Sequence, residues 1–486
     1  MKISFEKVKK IHLIAVGGMG MGSLAGLLKE KGFEVSGSDA NIYPPMSDQL
    51  QKLGVRLDEG YRAENLLPRP DLVVVGNAVS KTNPEVVALL QNEIPYCSMP
   101  EALKEFFLKG KKSLVVAGTH GKTTTASILS WLLTEASLDP CCFVGGILKN
   151  FDRSYRFGNG PYCVTEGDEY DTAFFDKGPK FVHYNPYAVL LGPVEFDHAD
   201  IYKDLPQVLD AFEKLIGVLP ENGLLVASAD NPNTISLAKK FKGNVITYGF
   251  SPEAQFRAES FSFGPAGGAG PTGTSFRLFK LDQFLGVIES PMMGEHNIQN
   301  LLGVIALLLQ IGLSLDQMRR GLKTFQGVKR RQEVRGVVSD IVVIDDFAHH
   351  PTAIAETLKA IRARYKGYKL WALFEPRSNT SRRNTFQEEF ASAFQGADQV
   401  VIADLYQPEK IPEGERLDIS KLVGSLQIKG IKARFLPTVD EIVATVRQEV
   451  SSHSVLLVMS NGGFGGIHDK LLISLGEPSH GGSFHS

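Results

Sequence analysis

The order of apolar runs and helical stretches predicts an α/β protein of three units, each a mostly parallel sheet covered by helices. Three observations carry this. Short apolar runs that exit into glycine or acidic residues alternate with helix-compatible segments, the pattern of strands joined by helical crossovers. One such run, SLVVAGTHGKTTT (113–125), passes through a glycine turn straight into a helix start. The length, 486 residues, accommodates about three domains at roughly 150 residues each.

The first unit spans residues 1–110. IHLIAVGG (11–18) reads as a buried strand, SLAGLLKEKG (23–32) as an amphipathic helix, and FEVSGSD (33–39) and DLVVVGNA (71–78) as further strands. Its ligand belongs at the C-terminal strand ends. GGMGMG (17–22) has the spacing G-G-x-G-x-G rather than G-x-G-x-x-G, which argues against a nicotinamide cofactor. A turn that offers backbone N–H groups to a diphosphate, or one with no ligand, stays open. The basic stretch LKGKK (108–112) reads as a hinge.

The second unit, 111–328, opens with the glycine turn. Strand, tight turn and helix start aim backbone N–H groups and the helix dipole at an anion. Gly118, Thr119, His120, Gly121, Lys122, Thr123 and Thr124 form this cradle. Lys122 reaches the β/γ-phosphates of a nucleotide, and the Thr123 hydroxyl is placed to ligate Mg²⁺. The loop is G-x-x-G-K-T, shorter than the usual form, because Val116 stands where that form has its first glycine.

Two acidic strand exits follow. EGDEYD (166–171) suits Mg²⁺, since hard cations take oxygen ligands, and Glu166 lies nearest the strand end. EFDHAD (195–200) sets His198 among carboxylates at the same sheet edge and points to a second metal site. GEHNIQN (294–300) brings Asn297 and Asn300 to a helix start, where they read an adenine edge or serve as caps. FGPAGGAGPTGT (263–274) reads as a mobile loop, and LLGVIALLLQIGL (301–313) as a buried helix too short for a bilayer.

The third unit, 329–486, repeats strand and helix. Arg330 and Arg331 suit a guanidinium fork to phosphate, Asp346 suits ribose hydroxyls, and Arg377 in FEPRSNTSRR suits a carboxylate-bearing substrate. Composition excludes other classes. A net charge of -2 gives no reason to expect nucleic acid or a membrane surface. Four cysteines without C-x-x-C spacing fit a reduced cytoplasmic protein without structural zinc. The N-terminus reads as a first strand rather than a signal peptide. The sequence specifies no oligomeric state.

Taken together, GTHGKTTT, EGDEYD, EFDHAD, GEHNIQN, VKRRQ and DDFAHHP resemble the Mur ligase family, the ATP-dependent ligases of bacterial cell-wall precursor synthesis. The resemblance covers essentially the whole chain. It implies a Rossmann-like N-terminal domain that binds a UDP-sugar, a central P-loop ATPase and a Rossmann-like C-terminal domain that binds the amine substrate. IHLIAVGGMGMG and VSGSDANIYPPMS resemble the branch that acts on UDP-N-acetylmuramate. Further segments, FEPRSNT and VMSNGGFGGIH among them, resemble members that attach the tripeptide L-Ala-γ-D-Glu-meso-diaminopimelate rather than L-alanine.

By motif the resemblance implies Lys122 and His198 as catalytic, with Thr123, Glu166 and His198 holding two Mg²⁺ ions. Asn297, Asn300, Arg331 and Asp346 complete the ATP site, and Gly18, Gly20 and Asp39 fall in the UDP-sugar segment. It also implies an acyl-phosphate route and domain closure, with hinges at LKGKK and near FQGVKRR. His349 and His350 are candidates to deprotonate the amine. Three positions depart from the pattern. Pro193 replaces a common asparagine, Ala15 replaces an early glycine, and Glu213 stands where some members carry a carbamoylated lysine.

Overall fold

The protein is described from a computed structural model covering residues 3–42, 46–264 and 273–476. Its first sheet is wholly parallel. Strands β1 (Lys10–Ile14), β2 (Glu34–Asp39), β3 (Arg56–Glu59), β4 (Leu72–Val75) and β5 (Tyr96–Ser98) lie in the order β3-β2-β1-β4-β5. β4 is buried along its whole length, as expected of a strand covered on both faces. The helix after β1 runs Met19–Glu30, four residues earlier than the apolar pattern alone suggests. Glycine lets it start there and pack closely. A Cβ at Gly22 would lie 2.1 Å from Met46 Sδ, and one at Gly26 would lie 2.2 Å from Tyr155 of the second sheet.

The second sheet comprises β6 (Lys112–Ala117), β7 (Cys141–Leu148), β8 (Arg153–Arg156), β9 (Tyr162–Gly167), β12 (Pro186–Leu191), β13 (Leu224–Ser228), β14 (Asn244–Gly249), β15 (Phe256–Phe263), β16 (Thr274–Lys280) and β17 (Gln283–Ser290). A separate small ribbon pairs β10 (Asp171–Ala173) with β11 (Asp176–Pro179). The strand order is β17-β16-β15-β14-β13-β12-β6-β9-β7-β8. β15, β16 and β17 form an antiparallel meander. The Gly/Pro-rich stretch joins β15 to β16, and its residues 265–272 lie outside the described residues. Helices Lys122–Glu135 and Glu295–Gln310 pack together over this sheet, the second burying Leu301 through Leu308 as the apolar run predicts.

The third sheet has β18 (Glu333–Val338), β19 (Ile341–Asp346), β20 (Lys369–Phe374), β21 (Gln399–Ile402), β22 (Lys432–Phe435) and β23 (Ser454–Met459). Their order is β18-β19-β23-β20-β21-β22, parallel except for the edge strand β18. The chain is thus a three-domain α/β protein. All four cysteines are free and buried. Among the described residues no helix is long and apolar enough to cross a membrane.

One feature of register positions the site. β6 is flanked by β12 and β9, with Ala117 opposite both Leu191 and Gly167. Three strands therefore end together. The glycine turn after β6, the acidic exit of β9 and the EFDHAD segment beyond β12 share one edge.

Candidate active site

The glycine turn has the backbone geometry its sequence requires. Gly118 sits at φ 131° and Gly121 at φ 78°, both in the region that favours glycine. A Cβ at Gly118 would lie 3.1 Å from the Gly192 backbone, and one at Gly121 would lie 2.4 Å from Asn300 Oδ1. The helix starts at Lys122, so its first N–H groups face the turn. The Thr119 N–H donates to the Pro193 carbonyl at 2.8 Å. Pro193 thus anchors the turn through its backbone, which a proline can supply as well as an asparagine.

Lys122 Nζ donates to the Gly118 carbonyl and to Glu169 Oε2, both at 2.9 Å. Burial works against the ammonium, but Glu169 and then Asp168 outweigh it and raise its pKa. Glu169 is itself buried. Burial opposes its charge, yet Lys122 and His198 hold its carboxyl down at about 2. His198 Nε2 lies 3.4 Å from Glu169 Oε1. One carboxylate therefore joins the two residues identified by motif as catalytic. Reading of the sequence missed Glu169, although the acidic motif contains it. Which of three acids reaches Lys122 depends on the turn after β9. Glu213 pairs with Lys240 at 2.6 Å on the surface.

Thr123 Oγ1 donates to Glu166 Oε2 at 3.1 Å, and the Gly145 N–H donates to Glu166 Oε1. Burial, and then the charge of Asp168, push Glu166 up to about 7. The nearby charges of Lys122 and Arg331 pull it down only in part. With a hydroxyl beside it and two further carboxylates nearby, the donor set is all oxygen and suits a hard divalent cation.

A cavity of about 530 Å³ opens beside the turn, lined by His120, Gly121, Asn297, Asn300, Arg331 and Asp346 among others. Met292 and Met293 add apolar wall. Asn300 Nδ2 donates to Asn297 Oδ1 at 3.2 Å, and Asn297 Nδ2 donates to the Met293 carbonyl at 2.8 Å. The two amides thus brace each other against the turn rather than cap the helix.

Arg331 reaches across from the third unit, its Nη2 3.4 Å from Thr123 Oγ1. Asp346 accepts from the Gln332 and Ala348 N–H groups, each at 2.8 Å, and so braces the segment that carries Arg331. Arg330 departs from the expected fork. Its Nη2 donates to the Ser460 and Gly462 carbonyls, both at 2.6 Å, inside the third unit. Its guanidinium, like that of Arg331, lies against the Phe347 ring.

Arg377 stands apart from the nucleotide cavity. Its guanidinium stacks on Tyr406 with 3.6 Å to the ring centroid, and Glu375 lies 3.6 Å from its Nη1. In the first unit, Gly18 caps the helix Met19–Glu30, Gly20 lies in its first turn, and Asp39 Oδ2 accepts from the Gly17 N–H at 2.9 Å. Ala15 holds φ 69°, a conformation glycine adopts without strain. This accounts for the glycine usual at that place.

His120, Glu195 and His350 form a further cluster, their ligand atoms within 4.8 Å of one another. His350 is fully engaged, however. Its Nδ1 accepts from the Thr352 N–H at 3.3 Å, and its Nε2 lies 3.2 Å from the Phe196 carbonyl oxygen. The cluster is a clasp between the second and third units rather than a cation site.

Comparison with known proteins agrees with this geometry. Residues 10–110 match the Mur ligase family catalytic domain, 116–308 the Mur ligase middle domain, and 330–462 the Mur ligase glutamate ligase domain. The chain is 38% identical over 472 residues to the UDP-N-acetylmuramate–L-alanyl-γ-D-glutamyl-meso-2,6-diaminoheptandioate ligase of Escherichia coli, covering 96% of this chain and 98% of that protein. It is 35% identical over 459 residues to the UDP-N-acetylmuramate–L-alanine ligase of Acetivibrio thermocellus, covering 94% of each. The crystal structure of a murein peptide ligase from Psychrobacter arcticus superposes with a TM-score of 0.71 at 34% identity, covering 96% of this chain and 99% of that one. The chain belongs to the Mur ligase family, and is an ATP- and Mg²⁺-using enzyme that forms amide bonds on peptidoglycan precursors.

Proposed function

We propose that the protein joins UDP-N-acetylmuramate to the tripeptide L-Ala-γ-D-Glu-meso-diaminopimelate through an acyl phosphate, in cytoplasmic recycling of peptidoglycan. The observation that carries this is the 38% identity, over 96% of the chain, to an enzyme named for that tripeptide. The 35% identity to an L-alanine ligase supports the alternative, in which the amine substrate is L-alanine. The same reading divides the chain at 1–110, 111–328 and 329–486, supported by three separate sheets.

Joining a carboxylate to an amine in water needs an activated acyl group. The lactyl carboxylate attacks the γ-phosphorus of ATP and ADP leaves. The peptide amine then attacks the acyl carbon, its N–C bond forms, and inorganic phosphate departs. Lys122 and Arg331 hold the terminal phosphates and place positive charge where negative charge gathers. Gly118 to Thr124 supply backbone N–H groups. Thr123 and Glu166 would hold one Mg²⁺ and His198 another, supplying charge that offsets repulsion between phosphates and the incoming carboxylate. Asn297 and Asn300 face the base, and Asp346 keeps Arg331 in place. Gly18, Gly20 and Asp39 hold the UDP-sugar, and Arg377 a peptide carboxylate.

His349 takes the amine proton. Its Nδ1 bonds the Phe347 carbonyl oxygen at 3.0 Å, which leaves Nε2 as acceptor, and burial lowers its pKa so the ring is neutral. His350 has no free nitrogen for this task. The test is phosphate release with UDP-N-acetylmuramate and ATP·Mg²⁺, with tripeptide or with L-alanine. Turnover with tripeptide alone is expected. Turnover with L-alanine alone assigns the other reaction, and none with either amine removes both.

A further inference from the structure

The loop that bears His198 is held from the third unit at four points. Thr352 Oγ1 donates to Glu195 Oε2 at 2.9 Å, and His350 Nε2 meets the Phe196 carbonyl oxygen at 3.2 Å. Thr380 Oγ1 donates to Asp197 Oδ1 at 2.7 Å, and Asn379 Nδ2 donates to Asp200 Oδ2 at 2.7 Å. The Thr352–Glu195 and Asn379–Asp200 bonds are solvent-exposed, but the Thr380–Asp197 bond is buried, with both residues nearly inaccessible. A buried hydrogen bond with a charged acceptor is among the strong ones.

Asp197 does two things with one oxygen. Its Oδ1 accepts from Thr380 and also from the backbone N–H of His198, at 2.7 Å. His198 holds φ 53°, a conformation that costs a non-glycine residue energy and persists only when its surroundings impose it. The carboxylate that imposes it is thus itself fixed from the third unit. On the far side, Thr380 lies in a tight turn with Arg377. The Arg377 and Ser378 N–H groups both donate to Ser381 Oγ, at 3.1 and 3.0 Å.

The contacts form one chain. It runs from the Arg377 turn to Thr380, across the interface to Asp197, through the strained backbone of His198 to Glu169, and from Glu169 to Lys122. We propose that Thr380 and Asp197 are positioning residues that set His198 and Lys122 in place only when the third unit is docked, so that phosphoryl transfer waits for the domain that carries the amine substrate. This rests on the proposed reading in one respect, that the Arg377 turn lies on the amine side. Neither residue touches the reacting atoms. Their effect is on the geometry of groups that do, and it belongs in kcat rather than in nucleotide affinity.

The test compares Thr380→Val and Thr380→Ser in the full chain. Valine keeps the shape and removes the hydroxyl; serine keeps the hydroxyl. Thr380→Val is expected to lower kcat tenfold or more with the KM for ATP within twofold, and Thr380→Ser to stay within twofold of the wild type in both. Amide hydrogen exchange without substrates supplies a readout that needs no turnover. Residues 196–200 should exchange faster in Thr380→Val and as in the wild type in Thr380→Ser. A kcat for Thr380→Val within twofold of wild type, unchanged exchange in that loop, or equal impairment in Thr380→Ser each overturns the relay. Kinetics use whichever amine the wild type accepts. A wild type that accepts neither sinks the functional reading alone, while the exchange comparison still decides the relay.

Discussion

Lys122 Nζ and Glu169 Oε2 stand 2.9 Å apart in an ion pair at the mouth of the glycine turn, the carboxylate buried and the ammonium partly so. A buried charge left without its partner is costly, so each holds the other in place. Replacing Lys122 by Ala should lower kcat for ligation by about 10²–10³-fold, the usual loss of one charge-stabilising donor. Steady-state phosphate release measures it. Near-normal turnover would remove the assignment of Lys122 to the phosphates.

Gly121→Ala should weaken ATP binding about tenfold, since a left-handed alanine costs ~1–2 kcal/mol before any clash. Here the added Cβ would also lie 2.4 Å from Asn300 Oδ1, so the amide must move out of the cavity wall. Calorimetric titration with ATP reads the change. Unaltered affinity would show that the turn need not hold φ 78° to bind nucleotide.

His350 bears on acid stability. Burial, and next the charge of His120, lower its pKa from 6.5 to about 4 in the folded protein. Between these values the unfolded chain takes up a proton that the folded ring refuses. Stability is therefore complete above pH 6.5 and falls as pH drops toward 4, by at most ~1.4 kcal/mol per pH unit. His350→Asn keeps a good helix cap and removes the titration. Its Tm should fall less steeply than that of the wild type between pH 6.5 and 4. Parallel curves would assign the acid loss to other groups.

Gly462 and Arg377 should behave as one site. A Cβ on Gly462 would lie 1.9 Å from Arg377 Nε, so Gly462→Ala displaces the guanidinium from its place over Tyr406. Both Arg377→Ala and Gly462→Ala should raise the tripeptide KM about tenfold, the scale of one hydrogen bond to a charged group, with the ATP KM nearly unchanged. Equal losses for both substrates would indicate a folding or closure defect instead.

The sequence by itself determined the local parts. Alternating apolar runs and helical stretches marked most strands of the three sheets, because burial on both faces demands continuous apolar residues. It left unmarked β3 and β5, the strands β7 and β8, the meander β15 to β17 and the edge strand β18, where polar residues or glycines interrupt the apolar run. The glycine turn, and Lys122, Thr123, Glu166 and His198 as candidates at one sheet edge, were legible because each lies in a short, contiguous motif. Tertiary structure decided which groups meet. Arg331 reaches Thr123 while its neighbour Arg330 turns inward, although the two look alike in sequence. Glu169, unremarked within the acidic motif, supplies a carboxylate to both Lys122 and His198, and Thr380 reaches Asp197 across 183 residues. The physical reason is that register and domain docking set such distances, and both are properties of the packed sheets rather than of any one segment.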